Sequence, residues 1–309
     1  MKFIDWQKKW LEIYERPRIK HHTYVIYNEL FDRHINPFFC NAKLEKIKSD
    51  DVQCFLHQKM QNGNVKNNTG LSPSTVNLLR ALLNSMFECA FQNGFINQNP
   101  CKKIKRVVEE EKPAKVFSRD EQKRIEEVCM TNIPKYIGVL IVLYTGVRLG
   151  ELLALTWEDV DLKNGIISIN KTVYYAKDEN GRYQRYVGTP KSKSSKRIIP
   201  IAKNLKKLLK EHKKSAKANS VIFTRNQSTC SVRGYQQMFA YLQKKANIRQ
   251  KNFHTLRHTF ATRAIECGVD IKTLSELMGH KNATMTLNRY GHSLFETKQK
   301  AVDLIAKKL

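Results

Sequence analysis

His254-Thr255-Leu256-Arg257-His258, followed by Gly279-His280 and then by Thr286-Leu287-Asn288-Arg289-Tyr290-Gly291-His292, is the part of this chain from which the rest can be read. Together with Thr145-Gly146-Val147-Arg148-Leu149-Gly150-Glu151 upstream, it collects two arginines, several histidines and one tyrosine that helix or strand propensity does not require. Arginine offers a forked donor to phosphate oxygens, histidine moves protons near neutral pH, and a tyrosine hydroxyl can act as a nucleophile. The combination suits chemistry on a phosphodiester.

Working outward, the 309 residues are enough for two domains with a substantial core. Lysine and arginine number 55 against 28 acidic residues, a formal charge of +27 spread along the whole chain, which argues for a polyanionic partner such as nucleic acid. Lysine-rich solvated faces would give the same charge, so charge alone does not decide the partner. Seven cysteines lie scattered at positions 40, 54, 89, 101, 129, 230 and 267 with no Cys-x-x-Cys pair, as expected of thiols acting as small apolar residues in a reducing cytoplasm. No apolar run approaches the ~20 residues that span a bilayer. The N-terminus, Met1-Lys2-Phe3-Ile4-Asp5-Trp6, lacks the apolar core of a signal peptide. No membrane role is expected.

Residues 1–106 read as a small helical domain. Phe3, Trp6, Trp10, Ile13 and Tyr14 mark a first helix ended by Pro17, and Tyr24, Tyr27, Leu30 and Phe31 mark a second from about His22 to His34. Ser49-Asp50-Asp51 is expected to cap a third helix running to about Met60, and Gln61 to Gly70 is a polar loop. A longer helix follows, with Ser72 as cap, Pro73 in its first turn, a stripe of Val76, Leu79, Leu82, Leu83, Met86, Phe87, Ala90 and Phe91, and Gly94 as its stop. Residues 102–115 swing from basic to acidic and back without apolar periodicity, so an interdomain linker is expected at 107–115. It is either a solvated tether or a lysine-bearing strap along a polyanion.

Residues 116–309 form the second domain. Ser118-Arg119-Asp120-Glu121 fits a capping box that opens it. A helix from near Pro134 reaches Gly146, placing Arg148 at the junction with the helical run Glu151 to Leu155. Strand signals follow at Ile166–Ile169, Thr172–Tyr175, Tyr183–Val187 and Arg197–Pro200, with a turn at Asn180-Gly181. Between the last two strands lies Pro190-Lys191-Ser192-Lys193-Ser194-Ser195-Lys196, a mobile basic turn able to reach over a substrate or simply to touch phosphate. Helices resume at Lys203–Lys214, Val232–Ala246 and Thr255–Cys267. His254, Arg257 and His258 would project together from the start of the last, where backbone N–H groups favour an anion. His254 and His258 form a His-x-x-x-His pair, but no glutamate sits between them and no cysteine cluster backs them, so a metal site is not expected.

Thr-Gly-Val-Arg148-Leu-Gly-Glu151, His254-Thr-Leu-Arg257-His258, Leu277-Met278-Gly279-His280 and Tyr290 resemble, in order and spacing, the signature of tyrosine recombinases of the phage and conjugative-transposon integrase type. The resemblance is strong over about residues 113–309 and is one of pattern and position in the N-terminal half. It implies a mainly α chain with a small antiparallel β-sheet in the C-terminal domain, and a helical core-binding domain at 1–106 joined to a mixed α/β catalytic domain at 116–309. The implied reaction is site-specific recombination of a mobile element through a 3′-phosphotyrosyl intermediate and a Holliday junction. Arg148 and Arg257 would neutralise the two non-bridging phosphate oxygens, Tyr290 would be the nucleophile, His254 would assist its proton transfer, and His280 would hold a phosphate oxygen or support the transition state. Lys191, with Lys193 as the alternative, would protonate the departing 5′-oxygen, and Glu151 and His258 would orient the arginines and histidines.

Because arginines and lysine take the part of metal ions, no cofactor, divalent cation or ATP is expected. The partners implied are duplex DNA at paired sites, a homotetramer on that DNA, and an accessory DNA-bending or excision factor, within the cytoplasm of a bacterium and on its nucleoid. The tail Leu294–Leu309 either packs onto a neighbouring subunit or folds back on its own domain. Many integrases of conjugative transposons carry a further N-terminal domain for arm sites. Here the helical pattern starts near residue 3, and Met1 favours a simpler recombinase over a chain that has lost that domain.

Three other readings are weaker, the least firmly excluded being a type IB topoisomerase, which shares the nucleophile chemistry and would relax supercoils without pairing sites. Gly268 to His280 followed by Thr284 to Tyr290 imitates the helix-turn-helix of a regulator, which has no need of Arg148, the lysine turn or His254-x-x-Arg257. A metal-dependent nuclease needs clustered carboxylates, and Glu109-Glu110-Glu111 lies in the linker.

Overall fold

Contacts between Cα atoms divide the chain into two compact units, Met1–Glu111 with Tyr175–Gln184, and Lys112–Tyr174 with Arg185–Leu309. The computed structural model describes residues 1–64, 67, 69–109, 114–178, 182–190, 193–216, 219–221, 230–290, 302, 303 and 306; at 177, 193 and 288–290 the description stops at the backbone. The Asn180-Gly181 turn, Lys191 and nearly all of the tail expected at Leu294–Leu309 lie outside the described residues.

In the first unit α1 (Phe3–Lys9) continues through Trp10–Glu15 in a wider turn, where the Arg16 N–H reaches back five residues to the Leu11 carbonyl at 2.9 Å. α2 (His21–Leu30) passes through a similar turn at Phe31–Ile35 into α3 (Asn36–Phe39), so the second helical segment runs past the expected His34. In α4 (Ser49–Asn62) Ser49 is not the cap: Lys48 holds the extended conformation ahead of the helix, and the Asp51 carboxylate accepts its N–H at 2.8 Å.

α5 (Pro73–Gln92) starts as its sequence predicts, with the Ser72 hydroxyl accepting the Thr75 N–H at 3.3 Å and Pro73 first in the helix. Its predicted stripe is buried from Val76 to Ala90. Phe91 is the exception and is exposed, because one residue beyond Ala90 turns it about 100° off the stripe. The stripe meets Phe3, Trp6, Trp10, Phe31, Phe39 and Phe55 in one core, where Trp6 Nε1 donates to the Met86 carbonyl at 3.1 Å. Each fully buried aromatic of this kind stabilises the unit by about 1.5–3 kcal/mol. The start of the linker is docked on α5: Asn77 exchanges hydrogen bonds with both backbone groups of Val107, each 2.9 Å, and Arg80 donates to the Ile104 carbonyl at 3.0 Å.

In the rest of the chain, α6 (Arg119–Met130) opens with the predicted capping box. The Glu121 N–H donates to Ser118 Oγ at 3.1 Å, and Ser118 N–H to Glu121 Oε2 at 2.8 Å. α7 (Ile133–Thr145) is apolar on every side and is surrounded accordingly by α6, α9 (Lys203–Ser215) and α11 (His254–Glu266). α8 is shorter than the expected Glu151–Leu155, ending at Leu149–Leu152, because the chain turns to seat Thr156 on Asp159, whose carboxylate accepts the Thr156 N–H at 2.8 Å.

The small antiparallel sheet predicted for this part is present, as β1 (Val160–Asp161), β2 (Ile166–Ile169) and β5 (Arg197–Pro200) in that order, with Ile167 opposite Ile199. β3 (Thr172–Lys177) and β4 (Tyr183–Gly188) pair separately. α10 (Val232–Lys245), α12 (Ile271–Met278) and α13 (Ala283–Tyr290) complete the described elements, and α12 packs against α11, α13 and β5. No helix among the described residues is long and apolar enough to cross a membrane. All seven cysteines are free thiols.

Candidate active site

The site grows from the two helix ends that the glycines mark. Gly146 ends α7 in the left-handed region, φ 66°, and releases the chain into the extended Arg148 that heads α8. Arg148 is fastened by Glu151 one helical turn on. The Arg148 N–H donates to Glu151 Oε2 at 2.9 Å and its Nη1 to Oε1 at 2.8 Å, while Nη2 donates to the Gly279 carbonyl at 3.0 Å. Glu151 is 2 % exposed. Burial pushes its carboxyl pKa up, yet the hydrogen bond and charge of Arg197 and the charge of Arg148 outweigh burial and hold it below the ordinary value.

Arg257 comes from the first turn of α11 and is 2 % exposed. Its Nη1 donates to the Gly146 carbonyl, its Nη2 donates to the Met278 carbonyl at 2.6 Å, and Nη2 also lies 3.0 Å from His280 Nε2. A guanidinium only donates, so His280 Nε2 is the acceptor; Nδ1, 2.7 Å from Thr286 Oγ1, then carries the proton. Burial first, then the charges of Arg257, Arg148, Arg197 and His254, lower the His280 pKa to about 4. The imidazole is therefore neutral at neutral pH, in keeping with that tautomer.

The structure thus gathers Arg148, Glu151, Arg257 and His280, with His254 in electrostatic reach of His280. His254 is exposed, and the buried ring of His258 stands perpendicular to it with centroids 4.6 Å apart. Tyr290 is the last residue of α13, and its side chain is not among those described. Lys193 opens a short helical turn, Lys193–Ser195, directly before β5. Among the described residues no three His, Cys, Asp or Glu side chains come together as a metal site. Arg197 was not singled out by sequence, because a basic residue at the head of a strand in a lysine-rich turn carries no signal of its own. It proves to bind Glu151 through Nη2 at 2.9 Å.

Residues 115–297 match the phage integrase family, and residues 2–60 match the N-terminal SAM-like domain of phage integrases. The chain belongs to the phage integrase family. It is a tyrosine recombinase, an enzyme of site-specific DNA recombination that breaks and rejoins strands. The recombinase is 31 % identical to the tyrosine recombinase XerC-like protein of Caldanaerobacter subterraneus subsp. tengcongensis over 97 % of this chain and 82 % of that relative. It is 27 % identical to the ICEBs1 integrase of Bacillus subtilis over 88 % of this chain and 73 % of that relative. Its fold resembles the Tn1549 transposon integrase solved in complex with a circular intermediate DNA, with a TM-score of 0.81, 25 % identity and 99 % of each chain covered.

Proposed function

We propose that the recombinase integrates and excises a mobile element by cutting paired duplex sites through Tyr290. The Tyr290 hydroxyl attacks the scissile phosphorus and the bond to the 5′-oxygen breaks, leaving a 3′-phosphotyrosyl bond and a 5′-hydroxyl. The phosphotyrosyl bond conserves the energy of the cut strand, so a 5′-hydroxyl from the other duplex can reverse the step and form a Holliday junction. His254 takes up the phenolic proton, and Lys191, or Lys193 two residues on, supplies the proton to the departing oxygen.

The observation that carries this reading is the convergence of Arg257, His280 and Arg148 on one turn, with Arg257 3.0 Å from His280 and Arg148 3.0 Å from the Gly279 carbonyl. Two guanidiniums fixed at one turn can meet two phosphate oxygens with little reorganisation. A neutral His280, its Nε2 accepting from Arg257, supports the transition state by holding that fork in place without adding charge. Glu151 sets the Arg148 fork, and His258 backs the His254 ring. With cationic side chains in these roles, no divalent ion is needed for strand cleavage.

Residues 1–106 act as the core-binding domain, 107–115 as the linker and 116–309 as the catalytic domain, together holding duplex DNA through a charge of +27. Exchange between two duplexes cuts four strands, one tyrosine for each, so a homotetramer on paired sites is the active assembly. An accessory DNA-bending or excision factor sets the direction, and the work takes place on the bacterial nucleoid in the cytoplasm. Likeness to an ICEBs1 integrase and a Tn1549 transposon integrase supports the mobile-element role.

The test is to incubate the protein, with excess chelator, on duplexes spanning the ends of the genomic element that encodes it, then denature and look for a covalent DNA adduct. An adduct with wild type and none with Tyr290→Phe is the expected result. Binding without an adduct from wild type on a true crossover site, or a requirement for magnesium, would overturn the proposal.

A further inference from the structure

Three consecutive carbonyls at the C-terminal end of α12 each accept from a different arginine. Arg197 Nε donates to the Leu277 carbonyl at 2.7 Å, Arg257 Nη2 to Met278 at 2.6 Å, and Arg148 Nη2 to Gly279 at 3.0 Å. A helix C-terminus leaves these carbonyls without intrahelical donors and carries partial negative charge, so it is a natural seat for cations. The three arginines come from separate elements, β5, α11 and the head of α8, and the turn they share leads into His280.

Arg197 differs from the other two in where its remaining donors go. Nη1 donates to the Ser195 carbonyl at 3.1 Å and Nη2 to Glu151 Oε2 at 2.9 Å, and its side chain is 6 % exposed. Ser195 closes the short turn that begins with Lys193, one of the two lysines proposed as proton donor. Glu151, at its other oxygen, holds Arg148. The Arg197 side chain also packs against Gly279, where an added Cβ would lie 3.0 Å from Nη1 and 3.2 Å from Cζ. One buried fork therefore ties the lysine-bearing turn, the carboxylate that sets Arg148, and the turn that sets His280.

We infer that Arg197 is a positioning residue of the recombinase: it touches no DNA, and it fixes the lysine turn, Arg148 and His280 relative to one another before DNA arrives. This rests on the proposed roles of those three groups. A lysine in its place keeps the charge but cannot serve three acceptors in one plane. A methionine keeps most of the volume and removes both charge and donors.

The full chain carrying Arg197→Lys or Arg197→Met is compared with wild type in two measurements. In DNA-free protein, the His280 ring is titrated by NMR; Arg197→Met raises its pKa, since one of the charges that depress it is gone, and Arg197→Lys leaves it near wild type. On the element-end duplex at saturating protein, single-turnover adduct formation falls roughly 10- to 100-fold in both variants, as expected of groups misplaced by about an ångström, while affinity for the duplex moves by less than about threefold.

Wild-type cleavage by Arg197→Lys, or an unmoved His280 titration in Arg197→Met, overturns the inference. An Arg197→Met chain that does not fold leaves the Arg197→Lys rate to decide. Should wild type form no adduct, the proposed function fails, and the His280 titration still decides whether Arg197 acts on the site.

Discussion

Arg257 Nη2 lies 3.0 Å from Nε2 of His280, so a fixed cation faces the lone pair of a neutral ring. Half-buried, the ring loses solvation of its charged form, and protonating it would also set a second positive charge against Arg257, which together lower its pKa to about 4. In the unfolded chain the ring returns to its ordinary value near 6.5. Between about 4 and 6.5 the unfolded state binds the proton and the folded state does not, so folding stability rises with pH across this window and is lost as pH falls through it. His280→Gln removes this contribution. Urea unfolding of both proteins at several pH values across the window should show a steeper acid loss in wild type; parallel curves would sink the assignment.

Glu151 stands between Arg197 and Arg148 and answers both. Glu151→Ala leaves two inward-facing guanidiniums without their carboxylate and should destabilise by about 3–5 kcal/mol, with Glu151→Gln clearly milder. Because its folded pKa is depressed, its contribution is present above the ordinary carboxylate value and is lost as pH falls through the folded one. The deficit of Glu151→Gln against wild type should therefore shrink in acid, as read by denaturant midpoints.

What sequence disclosed and what it did not divide by range along the chain. The Ser118–Glu121 box, the Ser72 cap and the stripe Val76 to Ala90 were readable because each depends on residues within a few turns. Gly146 was readable as a helix end for the same reason. β1 was not: two residues, Val160–Asp161, become a strand only because Ile166 and Ile167 lie beside them. Arg197 was not, since its three acceptors belong to positions 151, 195 and 277 and only folding brings them to one guanidinium. The meeting of Arg148 with Arg257 was legible through resemblance to a family signature, not through spacing, because 109 positions separate them and periodicity says nothing at that distance.

Asn77 acts on the linker as a strand partner would, taking the Val107 N–H and giving to its carbonyl, 2.9 Å each. It is a buried residue, so Asn77→Ala strands both backbone groups and should cost the first unit about 1–3 kcal/mol. Limited proteolysis should then cut near residues 104–109 faster than in wild type, with Asn77→Asp also weakened because it cannot donate to the carbonyl. Unchanged cleavage would mean that the segment is held by the burial of Ile104 and the Arg80 hydrogen bond to its carbonyl instead.

Gly146 joins stability to the proposed chemistry at one atom. Its φ of 66° is a conformation that a side chain resists, and an added Cβ would lie 2.5 Å from Cδ1 of Phe260 and 3.1 Å from Sδ of Met278. The left-handed conformation costs alanine about 1–2 kcal/mol and overpacking about 1–3 kcal/mol, so Gly146→Ala should destabilise by about 2–5 kcal/mol. Removing the ring with Phe260→Ala relieves only the second part. The double variant should therefore be more stable than the sum of the single effects predicts, by roughly the overpacking share of about 1–3 kcal/mol. It should not regain wild-type adduct formation, because the Gly146 carbonyl receives Arg257 Nη1, and a backbone strained out of its left-handed turn moves that acceptor. Full recovery of adduct formation in the double variant would show that Phe260 contact, not the turn at Gly146, sets where Arg257 points.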